Sequence, residues 1–112
     1  MPIKAVSTMW EHSQFYVGQL VVHRRLNYRG VIVDVDPAFQ ETDAWSETET
    51  ANGSSREQPW YRVLPDGMAH ETYVAQRSLE PDESTERIRH PLLWLYFSEF
   101  RDGAYVRALR SN

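Results

Sequence analysis

Phe15-Tyr-Val-Gly-Gln-Leu-Val-Val-His-Arg-Arg-Leu-Asn-Tyr-Arg-Gly-Val-Ile-Val-Asp-Val-Asp-Pro37 is the stretch that decides the fold. It reads as two strands joined by a basic hairpin. Gln19–Arg24 holds the apolar run Leu20-Val-Val, and Gly30–Val35 alternates Val31, Val33 and Val35 with Ile32 and Asp34. That alternation is the period of a strand. Ile32 makes the second strand apolar on both faces near its centre, as a strand inside a small barrel would be. Asn27 and Gly30 supply turn chemistry between the strands, and Pro37 ends the second. Every formal charge from Gly18 to Gly30 is positive: Arg24, Arg25 and Arg29, with His23 alongside.

Outward from this hairpin the chain changes character. Residues 1–14 show no clear period and are expected to form a flexible lead-in. From Ala38 to Gln58 the sequence is acidic and turn-rich, with Glu41, Asp43, Glu47, Glu49 and Glu57 against Arg56. This 38–58 segment is expected to be a mobile loop. Order is expected to return at Pro59-Trp-Tyr-Arg-Val-Leu64. Pro65-Asp-Gly67 is a turn, because Pro fixes φ and Gly accepts a positive one. His70-Glu-Thr-Tyr-Val74 completes a second hairpin, and Gln76–Glu80 is a short extended piece. Pro91 and the apolar run Leu92–Phe97 predict a short buried helix or helical turn. Asp102-Gly103 turns the chain into a last strand at Ala104–Leu109. Strands separated by turns, with no βαβ alternation, predict a mainly β fold: a small SH3-like barrel of about five antiparallel strands with a short C-terminal helix.

Composition bounds the function. The chain has 112 residues, the size of one domain, and a net charge of −4. A general DNA-coating protein is basic, because phosphate neutralisation dominates its affinity; an acidic total leaves room only for a localised anion site. Of the 12 basic residues all but Lys4 are arginines, and guanidinium suits bidentate contact with phosphate or a guanine edge. Four Trp, six Tyr and four Phe predict large side chains filling the core. The absence of cysteine removes disulfides, thiolate metal sites and thiol nucleophiles. There is no apolar run long enough to span a membrane and no signal-peptide centre, so a cytoplasmic protein is expected.

Few residues offer catalytic chemistry. His12, His23, His70 and His90 lack metal-ligand spacing, although His23 and His70 both fall in expected strands. Asp34 and Asp36 share a strand face, but a strand-end Asp more often makes a turn hydrogen bond. Neither a phosphate loop nor a nucleophile motif is present. No enzyme, cofactor or metal is therefore expected. A cationic loop beside an aromatic can track a phosphate backbone and stack on a base, which makes His23, Arg24, Arg25, Tyr28 and Arg29 the candidate DNA-binding residues. The competing structural role is ion pairing with the 38–58 loop, at about 0–1 kcal/mol per exposed pair. Trp60 and Tyr61 are neighbours on a strand, so one is expected in the core and the other at the surface; Trp60 is the candidate protein-interaction residue. Trp94, Tyr96, Phe97 and Phe100 are expected to pack in the core or at a subunit interface, which leaves a homo-oligomer open.

Val17-Gly-Gln, Val22-His-Arg-Arg, Tyr28-Arg-Gly-Val-Ile-Val-Asp-Val-Asp-Pro37, Pro59-Trp-Tyr-Arg-Val-Leu64 and His70-Glu-Thr-Tyr-Val-Ala75 together resemble the heat-shock-associated, hemimethylated-DNA-binding family (YccV-like, HspQ-like). The blocks come in the family's order, with the variable acidic loop in its place. The tail, Ile88-x-His-Pro through Tyr96-Phe-x-x-Phe100 to Tyr105, is more similar to that of the same domain in eukaryotic F-box proteins. The resemblance implies one domain over 15–109, an SH3-like barrel, no enzymatic activity, and a regulatory role on hemimethylated double-stranded DNA. It also implies an alternative: an adaptor that modulates proteolysis, with an ATP-dependent protease or its substrates as partner.

Overall fold

The computed structural model describes residues 13–39 and 58–107. Residues 1–12 of the expected lead-in and residues 40–57 of the acidic loop lie outside the described residues. Seven strands, one α-helical turn and one 3-10 turn (Gln76–Ser78) are found among the described residues; the strands and helix are β1 (Leu20–His23), β2 (Arg29–Asp36), β3 (Trp60–Pro65), β4 (Thr72–Ala75), β5 (Leu79–Pro81), α1 (Leu93–Tyr96), β6 (Phe97–Arg101) and β7 (Ala104–Arg107).

β1 to β5 form one antiparallel sheet in the order β4-β3-β2-β1-β5. β4 and β5 are its two edges, yet only a 3-10 turn, Gln76–Ser78, connects them. Neighbouring strands lie about 4.8 Å apart, so a flat sheet would hold these edges about 19 Å apart. A 3-10 turn advances about 2 Å per residue and spans less than half of that. The sheet must therefore curl, and a bulge in β2 between Ile32 and Asp34 supplies a bend. The curl encloses one buried cluster drawn from all five strands: Val21, Ile32, Tyr61, Val63, Val74 and Leu79, joined by Phe15. Among the described residues no ladder joins β4 to β5, so the sheet remains open. The expected mainly β, antiparallel architecture is present, but without a closed barrel.

The outer face carries a second core. Leu20, Val31, Val33 and Leu64 meet Ile88, Leu93, Phe97 and Tyr105. Val31, Ile32 and Val33 are thus buried on alternating faces, which explains the doubly apolar centre of β2. Full burial of each such side chain contributes about 1.5–3 kcal/mol. β6 and β7 form a separate two-stranded sheet. Asp102 (φ 55°) and Gly103 (φ 81°) make their two-residue turn, as a type I′ hairpin requires. The Tyr105 hydroxyl accepts the Ile88 N–H (3.0 Å) and donates to its carbonyl (3.3 Å), pinning the hairpin to the incoming chain.

Two expectations about aromatics are corrected here. Trp60 and Tyr61 do point to opposite faces, but both faces are covered. Tyr61 fills the inner core, and Trp60 stacks on Tyr73 at 5.3 Å with Phe39 edge-on at 5.0 Å. Trp60 is 0% exposed and offers no surface to a partner. The helix is a single turn, and only part of its apolar run is buried: Leu93 is enclosed, whereas Trp94 is 56% and Leu95 76% exposed.

The Tyr96 hydroxyl donates to Glu71 Oε2 at 2.8 Å, tying α1 to the residue before β4. The Glu71 carboxylate holds this phenol's pKa above the ordinary 10.0, with burial adding to the effect. Burial likewise raises the Tyr61 phenol. A raised pKa means that the folded state binds the proton more tightly than the unfolded one. The associated stability is complete below pH 10.0 and is lost as pH rises through the folded value. The thermal midpoint should therefore fall above that pH in step with tyrosinate absorbance, and Tyr96→Phe should reduce the slope of that fall.

Candidate nucleic-acid interface

The β1–β2 connection is a short, internally braced turn. The His23 N–H donates to the Tyr28 carbonyl (2.9 Å), and the Asn27 N–H to the His23 carbonyl (2.8 Å). Asn27 takes the left-handed conformation at φ 57°, which Asn tolerates better than most residues. The His23 ring completes the brace: Nδ1 accepts the N–H groups of Arg25 (3.2 Å) and Leu26 (3.1 Å). An imidazole that accepts at Nδ1 carries its proton on Nε2. His23 is 2% exposed and packs against the Tyr28 ring at 5.2 Å. It shapes the turn from beneath.

The other candidate residues divide by their surroundings. Arg24 is exposed; its backbone N–H reaches the Ser78 carbonyl (2.8 Å), and Nε donates to the Leu79 carbonyl (3.2 Å). These bonds align it along the β4–β5 connection and leave its terminal nitrogens without a carboxylate partner among the described residues. Arg25 is exposed at the turn and meets no carboxylate among the described residues. Arg29 is different. Its Nε donates to Asp82 Oδ2 at 2.6 Å, a terminal nitrogen donates to the Glu86 carbonyl at 2.7 Å, and Asp66 lies 3.9 Å away. Arg29 fastens β2 to the chain that follows β5. Tyr28 is half-buried, and its hydroxyl shares a 2.7 Å hydrogen bond with Thr72 Oγ1.

The structure thus brings Arg24 and Arg25 together at the surface and turns His23, Tyr28 and Arg29 to structural work. It also adds residues that the sequence reading missed. Arg77 is exposed on the 3-10 turn, one residue before the Ser78 carbonyl that holds Arg24. Only the pairing of β1 with β5 brings it beside the hairpin, and that pairing is invisible in a linear reading. Leu26, 68% exposed, stands in the turn after Arg24 and Arg25. On β5, Glu80 opposes Val22 and sets an acidic side chain on the strand beside the turn. His23 and His70 are not brought together by any hydrogen bond between the described residues. Instead His90 Nε2 meets the His70 carbonyl at 2.9 Å, and His90 Nδ1 accepts the Leu92 N–H. Asp36 accepts the Tyr73 hydroxyl at 2.7 Å, while Asp34 lies 3.9 Å from Arg62. The two carboxylates serve strand packing.

The structure so far defines a small antiparallel β-domain that carries a cationic turn on an acidic chain. The family model described as hemimethylated DNA-binding protein YccV like matches residues 13–104. The chain belongs to this YccV-like family of DNA-binding domains. Among the described residues no helix is long and apolar enough to cross a membrane.

Proposed function

We propose that the protein is a non-enzymatic regulator that binds hemimethylated double-stranded DNA through the β1–β2 turn, with Arg24 and Arg25 on backbone phosphates and Arg77 adding positive charge beside them. The family membership supports the ligand. The observation that carries the site is that Arg24 and Arg25 stand exposed on a braced turn, while Arg29 is held by Asp82. A preorganised turn presents its charges without an ordering cost. We read residues 15–109 as one cytoplasmic domain, and the curled five-strand sheet as an SH3-like barrel left open between β4 and β5.

The test is fluorescence anisotropy with a short hemimethylated duplex across a salt series. Neutralising two phosphate contacts lowers the slope of log affinity against log salt by about 1.8. Arg24→Gln/Arg25→Gln should show that smaller slope, and Arg24→Glu/Arg25→Glu should lose about 100-fold in affinity, about tenfold per charged contact. An unchanged slope and affinity would remove the turn from the interface.

A second reading is favoured by Trp94 and Leu95, side by side and exposed on α1. An adjacent aromatic and aliphatic pair is the kind of anchor a protein partner buries. In this reading the protein is an adaptor that modulates proteolysis, and α1 holds the anchor that Trp60 cannot provide. Its binding would be nearly insensitive to salt and lost on Trp94→Ala.

A further inference from the structure

We infer that Leu26 is the residue through which this domain reads a methyl group in the DNA major groove. The inference rests on the proposed DNA-binding role of the turn. Leu26 belongs to none of the three buried clusters and is 68% exposed. An exposed leucine alone is ordinary. This one is held in place: its N–H donates to the buried His23 Nδ1 (3.1 Å), and the next residue, Asn27, is locked in the left-handed region. A braced turn therefore presents one apolar side chain directly after two arginines.

The major groove admits a two-stranded β-ribbon, and the thymine methyl is read there by apolar contact. The carbon-5 position of cytosine and the exocyclic N6 of adenine face the same groove, so a methyl placed on either projects into it. An aliphatic tip directly after two phosphate-seeking cations matches that chemistry: the cations set depth and register, and the leucine buries the methyl. One turn carries one such tip and so contacts one methyl group at a time.

The experiment compares wild type, Leu26→Ala and Leu26→Gln on duplexes of one sequence. The duplexes are unmethylated, hemimethylated at adenine N6, or hemimethylated at cytosine C5. Burying one methyl-sized group corresponds to about a four-fold preference. Wild type should prefer one of the two hemimethylated duplexes by about that factor, and the productive arm identifies the base. Leu26→Ala and Leu26→Gln should bring the ratio near one while keeping the wild-type salt slope, because neither variant removes a charge. If both variants keep the wild-type ratio, Leu26 is not the reader, although the turn still binds DNA. If wild type binds all duplexes equally, the methyl reading fails; if it binds none, the DNA-binding role fails with it.

Discussion

Gly18→Ala should remove a large share of the folding stability. Gly18 sits at φ 97°, and its N–H donates to the Ile32 carbonyl (2.7 Å) while its carbonyl accepts the Tyr105 N–H (2.9 Å). It is the point where the C-terminal hairpin locks onto β2. A Cβ at this position would lie 2.1 Å from the Tyr105 carbonyl oxygen. That obstacle is backbone in a hydrogen-bonded strand, which no rotamer change can relieve. Overpacking of this kind and the positive φ each cost about 1–3 kcal/mol, or about 4 kcal/mol together. The thermal midpoint should fall by on the order of 15 °C or more. Gly67 provides the control. Its φ is 81°, but nothing lies within 4 Å of its added Cβ. Gly67→Ala should cost about 1 kcal/mol, the conformational cost alone. Circular dichroism melts of the two variants separate steric from torsional cost; equal losses would contradict the tight docking of Gly18 on Tyr105.

The second large effect separates stability from binding within the basic hairpin. Arg29→Ala should destabilise the protein by about 2–3 kcal/mol, because it leaves a mostly buried carboxylate without its cation. The Asp82 side chain is 7% exposed, and among the described residues its other oxygen accepts the Ser84 N–H within the following turn. The Glu86 carbonyl loses its donor as well. Because Arg29 is already engaged, the folded variant should keep its DNA affinity within about threefold, whereas the Arg24/Arg25 charge reversal leaves stability nearly unchanged and lowers affinity about 100-fold. A denaturant melt and an anisotropy titration on each variant read both quantities. A crossed result, with Arg29 controlling affinity and Arg24/Arg25 controlling stability, would overturn this division of labour.

The hairpin's charge pattern is plain in the linear sequence, but its division of labour is not. Alternation in Val31–Val35 and the Pro65-Asp-Gly67 and Asp102-Gly103 turns mark strands and hairpins through local chemistry, and the structure forms them there. The extended reading of Gln76–Glu80 missed the 3-10 turn, because the pressure to tighten comes from joining opposite edges of a curled sheet. Arg29 looks like any basic residue until Asp82, 53 positions later, comes within 2.6 Å. Arg77 becomes a neighbour of Arg24 only through the β1–β5 ladder. Trp60 looked like a surface anchor because strand alternation predicts one covered face. Tyr73 and Phe39 cover Trp60 on the second, and Phe39 reaches it only in the folded chain. Leu26 carries no period and no motif; its exposure is set by the turn that His23 braces from below.

The most direct test of the central claim is a residue-resolved map of the DNA contact. Amide chemical shifts of the isotopically labelled protein would be followed as a short hemimethylated duplex is added. The largest changes should cluster at Arg24–Asn27 and at Gln76–Ser78, across the β1–β5 ladder, with Trp94 and Leu95 unmoved. Changes centred on α1, or a spectrum unaltered at saturating duplex, would contradict it.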